Sequence, residues 1–289
     1  MKNRMIETTA VAGALGAEVS GVDLSQPLSD RALAEIRQAY ADHQVLFFRG
    51  QSLEPEQQIA FCRQLGPLLR VPYVEPLADH PDIIAVLKEA DEQNISTFGG
   101  TWHTDFSFLE KPPSATVLYA LEVPPFGGDT LWASMYAAYD ALSHGIKATL
   151  DGLAAIHTGA PHGTSHAPPT NMAVTRSIKL TRGDPSADRE TEHPVVRVHP
   201  DTGRKALYIN PVYVRRFAGM SEAESRPLLE YLANHATRPE FTCRFTWRAG
   251  SMAVWDNRCT QHLAINDYDG ARRLLHRVTV AGERPVGPA

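Results

Sequence analysis

The 289-residue chain has little cysteine, no long apolar run and no excess of basic residues. Its three cysteines, Cys62, Cys243 and Cys259, are odd in number and widely spaced, which favours reduced thiols over a disulfide framework. No stretch approaches about eighteen consecutive apolar residues, so no membrane span is predicted. With 28 basic and 33 acidic residues the net charge is −5, which argues against nucleic acid or an anionic membrane as a partner. We expect a soluble, cytoplasmic protein.

The composition is that of an ordinary globular protein, with 43% hydrophobic and 21% charged residues. The chain lacks internal repeats and any stretch that reads as a linker, so we expect a single domain over residues 1–289. Residues 157–193 are rich in Gly, Pro, Ser, Thr and His, and a loop of this length in a compact domain is typically a lid or a mobile segment. It contains His157, His162 and His166. A zinc site of irregular spacing and a lid histidine that reaches a substrate anion are both open interpretations of these three residues.

Helical periodicity and capping residues predict four helices, within residues 28–44, 53–66, 132–145 and 221–237. Short β-branched or aromatic runs bounded by turn residues predict strands within residues 45–50, 81–89, 114–123, 193–200, 205–210, 241–250, 251–257 and 272–282. Many strands with few helices predict a mainly β fold with flanking helices, of the double-sheet jelly-roll type.

Three His-x-Asp motifs occur, at residues 80–82, 103–105 and 199–201. Two have a central proline, which favours turns over a paired strand. The third lies in "GGTWHTDFSF", which resembles a buried strand. There His103 and Asp105 would face the same side, as two of the three ligands of a non-haem Fe(II) site. About one such motif is expected by chance, so an ordinary hydrogen-bonded pair is an equally open interpretation.

The C-terminal segment supplies a third candidate ligand and two arginines. His262 follows an apolar strand that ends in Trp255, at the start of a polar turn. Arg273 and Arg277 share one face of the next strand with Leu275. An arginine inside a β-barrel needs an anionic partner, and its forked guanidinium suits a carboxylate. The alternative is a surface strand with both arginines solvated.

Together these residues resemble the taurine dioxygenase family, the taurine and 2,4-dichlorophenoxyacetate branch of Fe(II)/2-oxoglutarate-dependent oxygenases. The similarity covers nearly the whole chain, in blocks such as "HQVLFFRGQSLEPEQQ", "WHTDFSFLEKPPSATVLYALEVPPFGGDTLWASMYAAYDALS" and "WDNRCTQHLAINDYDGARRLLHRVTVAGERP". It implies a double-stranded β-helix (cupin-like) fold and a site for Fe(II), with 2-oxoglutarate and O2 as co-substrates. The resemblance implies that His103, Asp105 and His262 are the iron ligands. It implies that Thr130 and Arg273 bind the distal carboxylate of 2-oxoglutarate and that Arg277 lies beside the substrate.

The resemblance implies an oxidoreductase that hydroxylates a small anionic organic substrate and releases succinate and CO2. Where the hydroxylated carbon carries an ether oxygen, the product is an unstable hemiketal, and the substrate is cleaved. It also implies a homodimer or homotetramer, because relatives often form these. Two rivals stay open on the residues alone: a metal-binding β-barrel that binds a ligand without turnover, and a zinc hydrolase that uses the same three ligands.

The substrate class is suggested by departures from taurine dioxygenases. Val71 and Gly99 occupy positions that match a histidine and an asparagine there, so a polar amine would lack partners. Arg277 keeps the preference for an anion, while Val71, Tyr73 and Val74 suggest an apolar wall. The sequence therefore favours a hydrophobic carboxylate or aryloxyalkanoate first, an alkyl sulfate or sulfonate second and taurine third.

Overall fold

The computed structural model describes residues 5–95, 97–164 and 177–289. The helices are α1 Asp30–His43, α2 Pro55–Leu65, α3 Met135–Asp140, α4 His144–Leu150 and α5 Glu222–Ala236. The strands are β1 Glu7–Ala10, β2 Ala17–Ser20, β3 Val45–Phe48, β4 Ile84–Lys88, β5 Ala115–Glu122, β6 Thr130–Ser134, β7 Ala154–His157, β8 Thr191–Pro194, β9 Val196–Val198, β10 Lys205–Leu207, β11 Val214–Phe217, β12 Thr242–Phe245, β13 Met252–Asp256, β14 Thr260–Ala264 and β15 Arg273–Val280.

The helix ends follow the local capping chemistry. Ser29 caps α1 by accepting a hydrogen bond from the backbone N–H of Ala32, and Pro55 occupies the first turn of α2. The third predicted helix is shorter than expected because Trp132 lies in strand β6, and the helix begins only after Ser134, its N-cap. The fold is mainly β with flanking helices, as predicted.

Four sheets make up the β structure of the described residues. The largest has seven strands in the order β1-β2-β3-β13-β5-β15-β4, and a three-stranded sheet has the order β12-β6-β14. Two smaller sheets, β11-β7-β8 and β10-β9, lie next to α3, α4 and α5 through a shared core. The pairing is antiparallel except between β2 and β3, and the central strands β3 and β13 are buried on both faces.

One core lies between the seven-stranded and three-stranded sheets. Phe47 of β3 and Phe245 of β12 stack with ring centroids 4.1 Å apart, and Trp132 meets Phe47 edge to face. A second core packs α1 and α2 against the opposite face of the large sheet. In strand β15 Arg273, Leu275 and Arg277 are buried, while Leu274 and His276 between them are half-buried. The predicted alternation of the two faces of this strand is confirmed.

Two predictions about the candidate ligands are wrong in their local structure. The segment around His103 is not a strand: His103 makes an isolated bridge with His262, and a turn begins at Asp105. His262 does not begin a polar turn but lies in the middle of strand β14. The reason for the first difference is Phe106, whose positive φ of 44° is incompatible with continuing a strand.

Described residues of the long segment after β7 pack on the early loop near Tyr73. Leu180 forms a β-bridge with Val74, and the N–H of Thr181 donates to the carbonyl of Tyr73 at 2.8 Å. The hydroxyls of Tyr73 and Ser186 are 2.8 Å apart. Residues 165–176, which include His166, lie outside the described residues. In the described part of the chain, none of the helices is both long and apolar enough to cross a membrane.

Candidate metal centre

Three side chains from distant parts of the chain meet at one point. Backbone hydrogen bonds of 3.1 and 2.8 Å join His103 and His262 in both directions, which brings their rings to a centroid distance of 4.1 Å. Oδ1 of Asp105 lies 3.6 Å from Nε2 of His103 and 3.8 Å from Nε2 of His262. One ligand atom of each residue lies within 4.8 Å of the others, and all three side chains are buried. Two imidazole nitrogens and one carboxylate oxygen in this arrangement are the donor set of a non-haem Fe(II) site, so these residues fit a ferrous ion.

A chain of buried hydrogen bonds orients the carboxylate of Asp105. The hydroxyl of Thr116 donates to Oδ2 at 2.7 Å, which leaves Oδ1 facing the imidazoles. The amide of Asn257 donates to Thr116 at 2.9 Å, and the indole N–H of Trp255 donates to Asn257 at 3.0 Å. Such partners fix the direction of a coordinating oxygen.

The imidazole of His103 is oriented by its own backbone neighbour. Its Nδ1 lies 2.7 Å from the carbonyl oxygen of Thr101, which can only accept, so Nδ1 carries the proton and Nε2 keeps a free lone pair. Burial lowers the pKa of His262 well below its usual value, with a further contribution from His103. Burial therefore favours the neutral ring of His262, whose nitrogen can coordinate a metal ion.

The carboxylate of Asp105 has a guanidinium beside it. Nη1 of Arg277 lies 3.0 Å from Oδ1, and both side chains are almost fully buried. Burial alone would raise the pKa of Asp105, but Arg277 and the two imidazoles hold it well below its usual range. Nη2 of Arg277 has no hydrogen-bond partner within the described residues, so this guanidinium can still bind an anion.

Arg273 lies on the same face of β15 as Arg277, between two aromatic rings and a glycine. Its guanidinium lies 5.8 Å from the ring centroids of both Trp247 and Tyr268, and a Cβ on Gly128 would come within 3.2 Å of its Cδ and Nε. Its Nε is buried without a hydrogen-bond partner in the described part of the chain. Nearby, the indole N–H of Trp247 donates to the hydroxyl oxygen of Thr130 at 3.0 Å, so the Thr130 proton is free to donate to an anion.

One cavity joins these groups. Its lining includes His103, His262, Thr130, Arg273 and Arg277. The two arginines therefore face the same space as His103 and His262.

The residues predicted to touch the substrate fall into two groups, those that line this cavity and those of an apolar cluster. Gly99 is part of the lining, and a Cβ on it would lie 3.3 Å from Cε1 of His103. Val71 belongs to an apolar cluster that also contains Phe106, and Tyr73 packs against that cluster. The guanidinium of Arg277 lies 5.4 Å from the ring centroid of Phe106, so the cluster adjoins the charged group.

The loop histidines do not form a metal site among the described residues. His157 is buried in β7 with Nδ1 3.0 Å from the hydroxyl oxygen of Ser107, and His162 stacks on Tyr73 at a centroid distance of 5.1 Å. His166 lies outside the described residues, so its role stays untested.

The structure contains a second buried group of potential metal ligands, His199, Asp256 and Cys259. Two of them, His199 and Asp256, are hydrogen-bonded to each other. Nδ1 of His199 accepts hydrogen bonds from the backbone N–H groups of Asp201 and Thr202, so its Nε2 proton faces Oδ2 of Asp256 at 3.0 Å. The 199–201 motif is thus a turn, as predicted.

The family model for "Taurine catabolism dioxygenase TauD, TfdA family" matches residues 7–279. The chain belongs to this family. It is 40% identical to an alpha-ketoglutarate-dependent sulfate ester dioxygenase of Pseudomonas putida, over 98% of this chain and 91% of that protein. It is 37% identical to an alkylsulfatase of Acinetobacter baylyi (98% and 87% covered) and 34% identical to the alpha-ketoglutarate-dependent 2,4-dichlorophenoxyacetate dioxygenase of Cupriavidus pinatubonensis (93% and 96% covered).

Solved structures agree with this assignment. A taurine dioxygenase from Burkholderia xenovorans superposes with a TM-score of 0.82 at 38% identity, covering 98% of this chain and 93% of that one. AAD-2 in complex with Mn(II) and N-oxalylglycine gives a TM-score of 0.76 at 30% identity, with 97% and 98% covered. The chain is an oxidoreductase, a dioxygenase that depends on Fe(II), 2-oxoglutarate and O2.

Sequence reasoning missed the residues that support the candidate site. Thr116 and Asn257 orient the carboxylate, and Trp247 orients the Thr130 hydroxyl. One signal was available, because Thr116 is a polar residue in the otherwise apolar run "ATVLYA" of β5. A buried hydroxyl in such a strand needs a hydrogen-bond partner.

Proposed function

We propose that this dioxygenase oxidises a small hydrophobic organic anion, with alkyl sulfate esters as the first class and aryloxyalkanoates as the second. The observation that carries the proposal is the buried guanidinium of Arg277, whose Nη2 has no partner within the described residues and which adjoins an apolar cluster. Nη1 of this guanidinium is paired with Oδ1 of Asp105, and the unpartnered Nη2 leaves a donor for a substrate anion. The order of the two classes reverses that favoured by the sequence, because the sulfate ester dioxygenase and alkylsulfatase are more similar to this chain than the aryloxyacetate enzyme.

In this proposal His103, Asp105 and His262 hold Fe(II), with Nε2 of His103 and Oδ1 of Asp105 as two of the donors. Arg273 binds the distal carboxylate of 2-oxoglutarate with its forked guanidinium, and Thr130 donates its hydroxyl proton to the same group. When bound, Fe(II) and 2-oxoglutarate supply O2 activation with release of succinate and CO2. The contribution of the protein is to hold both ends of the co-substrate in one position.

Arg277 orients the substrate in the proposed complex. It binds the sulfate or carboxylate, while Val71, Tyr73 and the neighbouring apolar cluster contact the carbon chain. Gly99 leaves space beside His103 for the carbon that is oxidised. Hydroxylation of the carbon attached to a sulfate ester oxygen gives a hemiacetal-type sulfate, which breaks its C–O bond to form an aldehyde, a proton and inorganic sulfate.

We also propose a single domain in which the large sheet and the three-stranded sheet form the two halves of a double-stranded β-helix. Residues 157–193 are its lid. The support is the β-bridge from Leu180 to Val74 and the hydroxyl contact between Ser186 and Tyr73. They join the described part of this segment to the residues proposed to contact the carbon chain of the substrate.

The test is a panel of organic anions incubated with the enzyme, Fe(II), 2-oxoglutarate and O2, with succinate and inorganic sulfate both measured. The panel holds a medium-chain alkyl sulfate, the alkyl sulfonate of the same length, an aryloxyacetate and taurine. We expect sulfate release equal to succinate release with the alkyl sulfate, and its loss in Arg277→Met. Sulfate release without 2-oxoglutarate would indicate a hydrolase instead, and no succinate above background with any anion would refute the substrate class.

A further inference from the structure

The turn that follows Asp105 has an unfavourable backbone conformation. Phe106 has a φ of 44°, in the left-handed region that residues other than glycine rarely adopt. The carbonyl of Phe106 accepts from the N–H of Leu109 at 3.0 Å, which closes the turn. Such a conformation persists only where the surroundings hold it. The direction of the Asp105 carboxylate depends on this turn because the two residues are adjacent.

Buried side chains from three other segments hold the turn in place. Ser107 is fully buried, and its Oγ accepts from Nδ2 of Asn210 at 2.9 Å and is hydrogen-bonded to Nδ1 of His157 at 3.0 Å. Nε2 of His193 donates to the carbonyl of Leu109 at 2.9 Å. Ser107, Asn210, His157 and His193 are not among the residues that line the cavity, so the substrate and co-substrate assignments leave them unexplained.

The partners of the turn lie where the proposed lid enters and leaves the domain. His157 is the last residue of β7, and His193 lies in β8, which pairs with β7. Asn210 uses its other amide atom, Oδ1, to accept from the backbone N–H groups of Val212 and Tyr213, so its own position is fixed. The serine hydroxyl is thus held from two sides.

We propose that Ser107, His157 and Asn210 form a positioning site for the Asp105 carboxylate, called here the Ser107 anchor. It holds the Asp105–Phe106 turn in its left-handed conformation, so that Oδ1 faces the two imidazoles. The proposal rests on the assignment of His103, Asp105 and His262 as the metal ligands. Partners outside the coordination sphere typically change metal affinity by 10–100-fold, so the anchor should affect metal binding as well as folding.

The experiment measures Mn(II) affinity of the full chain by calorimetry, together with the visible spectrum of the Co(II) form. Ser107→Ala removes both hydrogen bonds of the anchor. His157→Phe removes one while keeping a ring of similar size against Tyr208, so this variant retains the packing if the first does not fold. Ser225→Ala is the matched control, because Ser225 is also fully buried and makes two hydrogen bonds, in helix α5, remote from the turn.

We expect about tenfold weaker Mn(II) binding and an altered Co(II) spectrum in Ser107→Ala, and a smaller change of the same kind in His157→Phe. Ser225→Ala should lose stability but keep both readouts of the parent. Mn(II) affinity within twofold of the parent in either folded anchor variant would overturn the proposal, as would an equal loss in Ser225→Ala. If the parent itself does not bind Mn(II), the metal-ligand assignment fails and the anchor fails with it, a result distinct from normal binding by the variants.

Discussion

Nη1 of Arg277 lies 3.0 Å from Oδ1 of Asp105, the same carboxylate oxygen that faces both imidazoles. In the metal-free protein this guanidinium is the counter-charge of a buried carboxylate. We predict that Arg277→Met destabilises the metal-free protein by about 3–5 kcal/mol, because removing one partner leaves a buried charge unpaired. In EDTA the melting temperature should fall by roughly 10 °C. Saturating Mn(II) should restore much of this loss because a cation again neutralises Asp105.

The double variant Asp105→Asn/Arg277→Met is the control for this pair. It removes both charges, so its metal-free melting temperature should lie well above that of Arg277→Met, and Mn(II) should not raise it. Equal melting temperatures of the parent and Arg277→Met in EDTA would show that the ion pair has no role in the metal-free protein.

Thr130 should act on 2-oxoglutarate binding and little else. Its hydroxyl oxygen accepts from Trp247, so its proton is available to a carboxylate, and a hydrogen bond to a charged group contributes about 1.5–3 kcal/mol. We predict that Thr130→Val raises KM for 2-oxoglutarate at least tenfold with kcat within twofold of the parent. Steady-state succinate formation measures both.

Trp247→Phe tests the orientation of that hydroxyl, since it removes the indole donor while Thr130 stays. We expect a smaller increase of the same KM. Thr242→Val, in the neighbouring strand β12, removes a hydroxyl that donates to the carbonyl of Pro239 and should leave KM unchanged. An unchanged KM in Thr130→Val would exclude this residue from the co-substrate clamp.

The buried His193 makes stability depend on pH. Burial lowers the pKa of His193 from 6.5 to about 4. Between these values the unfolded chain binds a proton that the folded protein does not, so the stabilisation is complete above pH 6.5 and decreases as the pH falls toward 4. We predict that the free energy of unfolding falls over this range, with a contribution from His193 of roughly 1 kcal/mol per pH unit. Urea denaturation between pH 7 and pH 4.5 measures the slope.

His193→Gln keeps a side-chain N–H that can donate to the carbonyl of Leu109 but removes the titrating ring. Its unfolding free energy should therefore vary less with pH than that of the parent. His144→Gln, at the exposed start of α4, is the control and should retain the parental slope. Identical slopes for His193→Gln and the parent would assign the pH dependence to other groups.

Gly99 is predicted to leave room for substrate. Gly99→Ala places a Cβ 3.3 Å from the ring of His103, at a φ of +78°. Gly219, outside the proposed lid, offers a matched control, because it has a φ of +77° with open space around its Cβ position. Both substitutions should cost about 1 kcal/mol of stability through backbone strain. Only Gly99→Ala should lower kcat/KM, by at least tenfold and most for the bulkiest anion. Equal kcat/KM in the two variants would remove Gly99 from the substrate site.

Local features were predictable from the sequence. The caps of α1 and α2 and the alternation of β15 depend on residues close together in the chain, so Ser29, Pro55 and the arginine pair could be placed in advance. The ligand assignment needed the similarity to a known family, since spacing alone left His103 and Asp105 open to an ordinary pair.

The remaining features arise from contacts between distant residues. A strand through His103 was predicted because its neighbours are apolar and aromatic, but the positive φ of Phe106 is imposed by packing and has no local sequence signal. The hydrogen bonds from Thr116 to Asn257 and from Ser107 to His157 span 141 and 50 residues. No periodicity connects residues so far apart, so these partners emerge only in three dimensions.

Arg273 and Arg277 lie four positions apart on one strand that is paired on both sides, with β4 and β5. At about 3.3 Å per residue their Cα atoms are roughly 13 Å apart, and the two neighbouring strands keep that spacing rigid. Strand β15 thus fixes the distance between the two arginines that we propose as the binding groups for 2-oxoglutarate and for the substrate anion. Inserting one residue between the arginines would turn one of them outward, so catalysts for longer substrates are better sought by redesigning the loops than by altering this strand.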